Sequence, residues 1–320
     1  MKAVDALELP GPGLDQAVEV GMAFAADPVT YLAGLAAEHG PIFKMPVGPQ
    51  EYVFLNNPEL AERMLRLDFE DFGQSVRVEE VLRPMLGRCI ATVADHSYWE
   101  QIHAIMLPMF TPKMLQRYFA ETLKVVEEEV EHLVEMQSRG EVVQLHQFVR
   151  QGIFAALTRT IFVRGVRPGD AELLLGWFAS SDNYMNMRYL QGEVADTDMS
   201  PPIQQGREDL ERINRYVFDL IAWRHANPVE EPEDMLDVLM QDRKPGGRSL
   251  TDVELRDNVV ALFFGGQETT PSIITWAFGL LSANPDKREK LFEEVDRVLE
   301  GATTDVSRTV RTEVCRGGSR

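Results

Sequence analysis

The chain has little cysteine and little basic charge, and each shortage excludes something. Two cysteines, Cys89 and Cys315, in 320 residues leave no room for a disulfide framework, and no CxxC spacing suggests a zinc or redox pair. The six histidines form no HExxH or other paired metal spacing. Lys and Arg number 32 against 51 Asp and Glu, a net charge of −19, which argues against nucleic acid or an anionic membrane as a general partner. Long apolar runs are missing too: none approaches the ~18 residues of a membrane span. The Val18–Ala26 stretch is interrupted by Glu19 and closed by Asp27-Pro28, so it reads as neither a span nor a secretory signal. These shortages describe a chain without a membrane anchor, suited to a reducing cytoplasm. Hydrophobic residues, at 44%, are enough for a sizeable core.

What is there centres on residues 249–285. Thr251 and Glu254 fit a capping box, with Leu250 and Leu255 placed for a hydrophobic staple. From there the pattern predicts one helix to about Ser282, stopped by Asn284-Pro285. At ~1.5 Å per residue, about 32 residues span roughly 48 Å, enough to cross a domain. Val259-Val260-Ala261-Leu262-Phe263-Phe264 is apolar all round and should be buried. Gly265-Gly266-Gln267-Glu268-Thr269-Thr270-Pro271 then breaks local rules in that core. The glycines clear space beside the backbone, Thr269 can bond back to the Gly265 carbonyl, and Pro271 offers no N–H to Gln267. The ladder is weakened twice within one and a half turns.

Gly265-Gly266-Gln267-Glu268-Thr269-Thr270 resembles the oxygen-activation motif (A/G)-G-x-(D/E)-T-(T/S) of cytochromes P450. In that family the glycines lie over the haem, the first threonine holds water at the oxygen-binding face, and the acid helps to relay protons. By resemblance, Thr269 is the oxygen-activating hydroxyl, Glu268 the relay acid, and Gly265 and Gly266 the haem-facing groove. Plain alternatives remain beside this: a kinked core helix with a polar pocket of its own, and a non-enzymatic helical protein that binds an apolar ligand.

The N-terminal order carries the same resemblance. A lead of Leu9-Pro10-Gly11-Pro12-Gly13 precedes a helix over Pro28–Glu38, ended by His39-Gly40-Pro41. Ile42-Phe43-Lys44-Met45 and Tyr52-Val53-Phe54-Leu55 predict a hairpin around Gly48-Pro49, and Asn57-Pro58 opens a helix through Leu65. Trp99 with His103, followed by Pro108 and Phe110, resembles the family's W-x-x-x-R … P-x-F helix, whose Trp and Arg hold a haem propionate. Here histidine stands in the arginine position. A neutral imidazole cannot grip a carboxylate as a guanidinium fork does, so Trp99 and His103 imply a weaker anchor.

Elsewhere Glu121–Val134 predicts an amphipathic helix, with Leu123, Val126, Val130 and Leu133 inward and Glu127, Glu128, Glu129 and Glu131 solvated. Further helices are predicted over Val149–Val163, Ala171–Ser181 and Arg207–His225, and a shorter one over Asp234–Met240. Residues 183–202 lose periodicity, and by resemblance this Met-containing stretch lids a substrate channel; a plain surface loop is the other reading. Pro285–Leu299 predicts a charged amphipathic helix in which Glu294 and Arg297 form a surface pair.

The expectation is therefore a mainly α, P450-like single domain over residues 1–301 with a small N-terminal β element, truncated before the family's E-x-x-R helix and cysteine loop. Residues 302–320 hold four Arg and two acids, a net of +2, and read as an atypical disordered tail. Cys315-Arg316-Gly317 supplies only the C-x-G of the ligand loop, so no metal ligand is assigned. The resemblance implies haem, NAD(P)H electrons delivered through a ferredoxin or flavoprotein reductase, and oxygen insertion into an apolar small molecule.

Overall fold

The structure, a computed structural model, describes residues 9–47, 50–66, 76–191, 196–241 and 248–299. The Gly48-Pro49 turn and the 302–320 tail with Cys315 lie outside the described residues. Among the described residues the chain is mainly α with one two-stranded sheet, and it divides after residue 73 into two compact units.

In the first unit, helix α1 (Ala17–Ala26) ends at Asp27, whose carboxylate accepts from the Thr30 N–H at 3.0 Å. That bond and Pro28 at the first position start α2 (Pro28–His39), an N-cap and N1 pairing that leaves few orphan donors. Gly40 ends α2 with φ of 91°, a conformation that favours glycine. Strands β1 (Ile42–Val47) and β2 (Gln50–Leu55) pair antiparallel, with Ile42 opposite Leu55, as the sequence predicts. Phe43 and Phe54 stack at 5.3 Å, and Val20, Leu35, Phe43 and Met45 form the unit's core. Asn57 caps α3 (Pro58–Leu65), accepting from the Leu60 N–H at 2.9 Å.

The second unit holds the remaining helices. They are α4 (Val76–Leu86), α5 (His96–Met106), α6 (Pro112–Ser138), α7 (Leu145–Ile161), α8 (Asp170–Gln191) and α9 (Pro201–Ala226). The short α10 (Met235–Met240) precedes α11 (Asp252–Gln267), α12 (Thr269–Ala283) and α13 (Pro285–Leu299). Phe263 of α11 is a core hub: Phe162, Phe154 and Phe178 close on its ring at 5.2, 5.3 and 5.7 Å. Leu210, Ile213, Val217, Leu220 and Ile221 of α9 are all buried, which is the stripe their spacing predicts. No described helix is long and apolar enough to cross a membrane.

Three expectations need correcting. Helix α6 begins at Pro112 and buries Met114, Tyr118 and Val125, while Val126 and Val130 are exposed. Its inward face is turned from the one assigned, and Glu129 is half-buried, with the Glu129 Cγ 3.3 Å from where a Cβ on Gly152 would stand. Helix α8 runs through residues 183–191, and Met185 is core there. In α13, Glu294 is buried although Arg297 is exposed, so the two are not a surface pair. Glu294 shares a stripe with Leu291, Val295 and Val298, the i, i+3, i+4, i+7 spacing of one helix face.

An ion cluster not read from the sequence ties α9 to α10. Arg224, almost wholly buried, donates to Asp234 at 2.5 Å and also to Asp237 and the Arg164 carbonyl. Asp234 caps α10 and accepts the Val163 N–H at 2.8 Å, so the segment after α7, helix α9 and the start of α10 meet on two carboxylates.

Candidate functional site

The central stretch begins with the capping box that the sequence predicts. Thr251 and Glu254 exchange backbone and side-chain bonds at 2.9 and 3.3 Å, and Glu254 also accepts from the Tyr98 hydroxyl at 2.8 Å. Burial works against the Glu254 charge, but these donors and Arg248 hold its carboxyl below the usual range. One turn on, Asp257 and Asn258 accept the N–H groups of Arg88 and Ile90 at 2.6 and 3.1 Å. Gly87 makes this docking possible: its φ is 62°, and a Cβ there would strike the Asp257 carboxyl. The helix is thus fixed at its start by neighbours distant in sequence, with Val259, Val260 and Phe263 buried beyond.

The single helix expected from 251 to 282 is two helices, α11 and α12, interrupted at Glu268. Both weak points named from the sequence are present. The Thr269 hydroxyl donates to the Gly265 carbonyl at 2.7 Å, and buried Pro271 offers no N–H to Gln267. Thr275 repeats the back-bond, donating to the Pro271 carbonyl at 2.8 Å. Sharp breaks of this kind follow from such insertions into the hydrogen-bond ladder.

Gly265 and Gly266 do different things. Among the described residues a Cβ on Gly265 would meet nothing within 4 Å, so the backbone there lies open to them. A Cβ on Gly266 would stand 2.7 Å from Leu157 Cδ1, so this glycine lets α7 approach α11 closely. Gly265, Glu268 and Thr269 all line one cavity of about 570 Å³, within the range of small-molecule pockets. Val81, Leu82, Met185 and Phe264 line it with apolar groups, and Asp182, Asn186, Gln267, Glu268 and Thr269 with polar ones.

Trp99 and His103 do not line this cavity. They form a stack on α5 with centroids 4.7 Å apart, both half-buried, and His96 extends the stack at 6.1 Å from Trp99. Their helix meets α11 through the Tyr98–Glu254 bond. Glu254 precedes Thr269 by 15 positions, about 22 Å along a helix at ~1.5 Å per residue.

Sequence reasoning missed the charges around the break. Arg150 of α7 reaches Asp182 of α8 at 3.3 Å and the Gln267 side-chain carbonyl at 3.4 Å. Its Nε stands 3.4 Å from Glu268, and His146 stands 3.5 Å from the other Glu268 oxygen. Burial pushes the Asp182 carboxyl up to about 6, with Arg150 opposing and Glu268 adding to the rise. The available signal was Arg150 placed among the apolar Phe148, Val149, Ile153 and Phe154 of α7.

Among the described residues no group of three or more His, Cys, Asp or Glu could hold a metal ion. Cys89 is sealed in the core, bonded to Thr92, and burial pushes its thiol up, the opposite of a ligating thiolate.

The family model described as Cytochrome P450 matches residues 10–312. Curated relatives include cytochrome P450 71D10 of Glycine max, 26% identical over 84% of this chain and 55% of that protein. Pentalenene oxygenase of Streptomyces avermitilis is 24% identical over 86% of this chain and 59% of that protein. A bifunctional cytochrome P450/NADPH–P450 reductase of Bacillus subtilis is 25% identical over 85% of this chain and 26% of that protein. The chain spans about half the length of the single-function relatives. A match across both compact units, over a helix broken where an open glycine and a back-bonded threonine meet a cavity, shows that the chain belongs to the cytochrome P450 family.

Proposed function

We propose that this chain contributes the oxygen-binding side of a haem monooxygenase. The reaction inserts one oxygen atom from O2 into an apolar organic substrate, with the other atom leaving as water. The observation that carries this is the break at Glu268, where the Thr269–Gly265 back-bond opens onto a cavity of about 570 Å³ with apolar walls. The exposed backbone at Gly265, with nothing within 4 Å of a Cβ there, fits a flat macrocycle laid against the helix. Haem, when bound, supplies the iron at which O2 is activated. The chain's own contribution is to orient and to move protons. Thr269 holds a water molecule at the cavity end, Glu268 exchanges protons with it, and Val81, Leu82, Met185 and Phe264 seat the substrate and exclude bulk water. Trp99 and His103 are the proposed propionate anchor, through the indole N–H and an imidazole N–H.

Electrons are proposed to come from NAD(P)H through a ferredoxin or flavoprotein reductase; the relatives fused to an NADPH–P450 reductase support a flavoprotein. The two units are proposed to act as one P450 domain, because one family match spans both. A cytoplasmic setting belongs to the same proposal and rests on the scarcity of cysteine and the acidic charge. The burial of Cys89 favours a second reading, in which the cavity binds an apolar ligand without iron chemistry.

An absorption spectrum after expression with haem precursor separates the two. A Soret band supports the first reading, and a red-shifted thiolate band under carbon monoxide identifies a cysteine on the iron. No haem, together with retained binding of an apolar fluorophore, selects the second.

A further inference from the structure

We propose that Arg150 is a positioning residue whose guanidinium is shared between Asp182 and Glu268, and that the charge on Asp182 decides which carboxylate it serves. The inference rests on reading Glu268 as the acid at the reacting end of the cavity. Three helices meet at this point: α7 supplies Arg150 and His146, α8 supplies Asp182, and the α11–α12 break supplies Gln267 and Glu268. One guanidinium therefore faces two carboxylates, and the cluster is one positive charge short.

The geometry shows an uneven division. Arg150 donates through one terminal nitrogen to both Asp182 Oδ2 and Gln267 Oε1, at 3.3 and 3.4 Å. Gln267, fully buried, closes a ring by donating its amide to Asp182 Oδ1 at 3.4 Å. Toward Glu268, the Arg150 Nε comes within 3.4 Å but is not aligned as a hydrogen bond, and this buried nitrogen has no hydrogen-bond partner among the described residues. Glu268 is therefore close to its cation without being gripped by it. All these bonds are longer than the ~2.7–2.9 Å of well-formed charge-assisted pairs, so the guanidinium is near two alternatives and committed to neither.

Protonation supplies the missing charge. A proton taken from solvent by Asp182 removes its pull on Arg150, and the guanidinium turns to align with Glu268. Ionised Asp182 takes the guanidinium back, and Glu268, about half exposed, is left to His146 and solvent. The groups facing Asp182 are Arg150, Gln267 and Glu268; α4 faces the same cavity with Val81 and Leu82, which carry no charge. Burial places the changeover near neutral pH, with the Asp182 carboxyl pushed up to about 6. The proton-relaying acid is thus held or released by a residue more than a hundred positions away.

The test is a carboxyl-carbon NMR titration of the full chain, which needs no haem. Variants are Arg150→Gln, Arg150→Lys and Glu268→Gln, each repeated with His146→Gln so that imidazole charge does not contribute. In the wild type, Asp182 should titrate near 6, and the Glu268 resonance should inflect at the same pH. Arg150→Gln should raise the Asp182 midpoint by about one pH unit, a tenfold gain in proton affinity, and erase the shared inflection. Glu268→Gln should move it down, and Arg150→Lys should restore part of the wild-type behaviour. Should Arg150→Gln fail to fold, the Lys and Glu268→Gln arms still decide. An Asp182 midpoint near 4, midpoints that move the same way in both variants, or a Glu268 signal indifferent to Asp182 would overturn the proposal. A chain that binds no haem but shows the coupled titration would contradict the proposed function and leave this inference standing.

Discussion

A methyl group added at Gly265 and, separately, at Gly266 should move stability in opposite directions. At Gly265 a Cβ meets nothing within 4 Å, so Gly265→Ala adds helix propensity without a clash. The expected gain is up to about 1 kcal/mol, the usual Gly-to-Ala difference in a helix interior. At Gly266 the same methyl would stand 2.7 and 2.9 Å from the two methyls of Leu157, closer than real Cβ contacts come. Overpacking of this kind costs about 1–3 kcal/mol, so after the propensity gain the net effect is a loss of up to about 2 kcal/mol. Leu157 can rotate, being a side-chain end, and this keeps the loss moderate. A double-mutant cycle isolates the contact: in a Leu157→Ala background, Gly266→Ala should become stabilising, with a coupling of about 1–3 kcal/mol. Urea unfolding followed by far-UV circular dichroism reads wild type and the four variants. Equal effects at the two glycines, or additivity in the cycle, would refute the assignment of Gly266 to helix packing and Gly265 to an open face.

Other consequences follow from the same structure. Arg224→Met leaves buried Asp234 without its cation, while Asp237 keeps Arg164 at 3.2 Å, and should cost about 3–5 kcal/mol by the same unfolding assay. Thr269→Ala removes one exposed back-bond and should change stability by less than about 1.5 kcal/mol. In a haem-loaded, electron-supplied enzyme it should nevertheless divert reducing equivalents from product to peroxide or water. Asp182, whose folded value lies above the ordinary carboxyl value, holds its proton more tightly in the folded chain, so its contribution is most favourable at acid pH and is lost as pH rises from about 4 to about 6. A hundredfold tighter hold on the proton corresponds to roughly 3 kcal/mol, and Asp182→Asn should flatten this part of the stability profile, with calorimetry at several pH values as the check. In a Cys315→Ser background, buried Cys89 should resist a thiol reagent until denaturant is added; rapid labelling of the native protein would contradict its place in the core.

What was legible in the sequence was local. The Thr251–Glu254 capping box, the helix opening at Asn57-Pro58, the hairpin and the bounds of α13 depend on residues a few positions apart, so pattern alone finds them. The weakening of the ladder near Glu268 was legible for the same reason, because Thr269 and Pro271 act on carbonyls four residues back. The same two facts do not say that the helix stops and restarts, and one continuous helix was the expectation. Long-range geometry was not legible. Nothing local distinguishes Gly265 from Gly266 until Leu157 is seen against one of them. Arg150, Asp182 and Gln267 come from three helices, and each looks like an ordinary polar residue on its own. Helix α6 shows how periodicity misleads: Val126 and Val130 are spaced like a core stripe, yet Val125 takes the buried position because α6 begins nine residues earlier and its phase is set at Met114 and Tyr118. Apolar content misleads likewise in α12, where Ile273, Trp276, Phe278 and Leu280 are exposed.

The central claim is that the open backbone at Gly265 is the face against which haem lies. Its most direct test is haem titration of the purified chain, followed at the Soret band, for wild type, Gly265→Leu and Ser138→Leu, an exposed substitution far along the sequence that controls for added bulk. The account predicts saturable uptake by wild type and by the Ser138 variant, and at least a tenfold weaker uptake by Gly265→Leu with unchanged circular dichroism. Equal uptake by all three proteins, or none by the wild type, would contradict it.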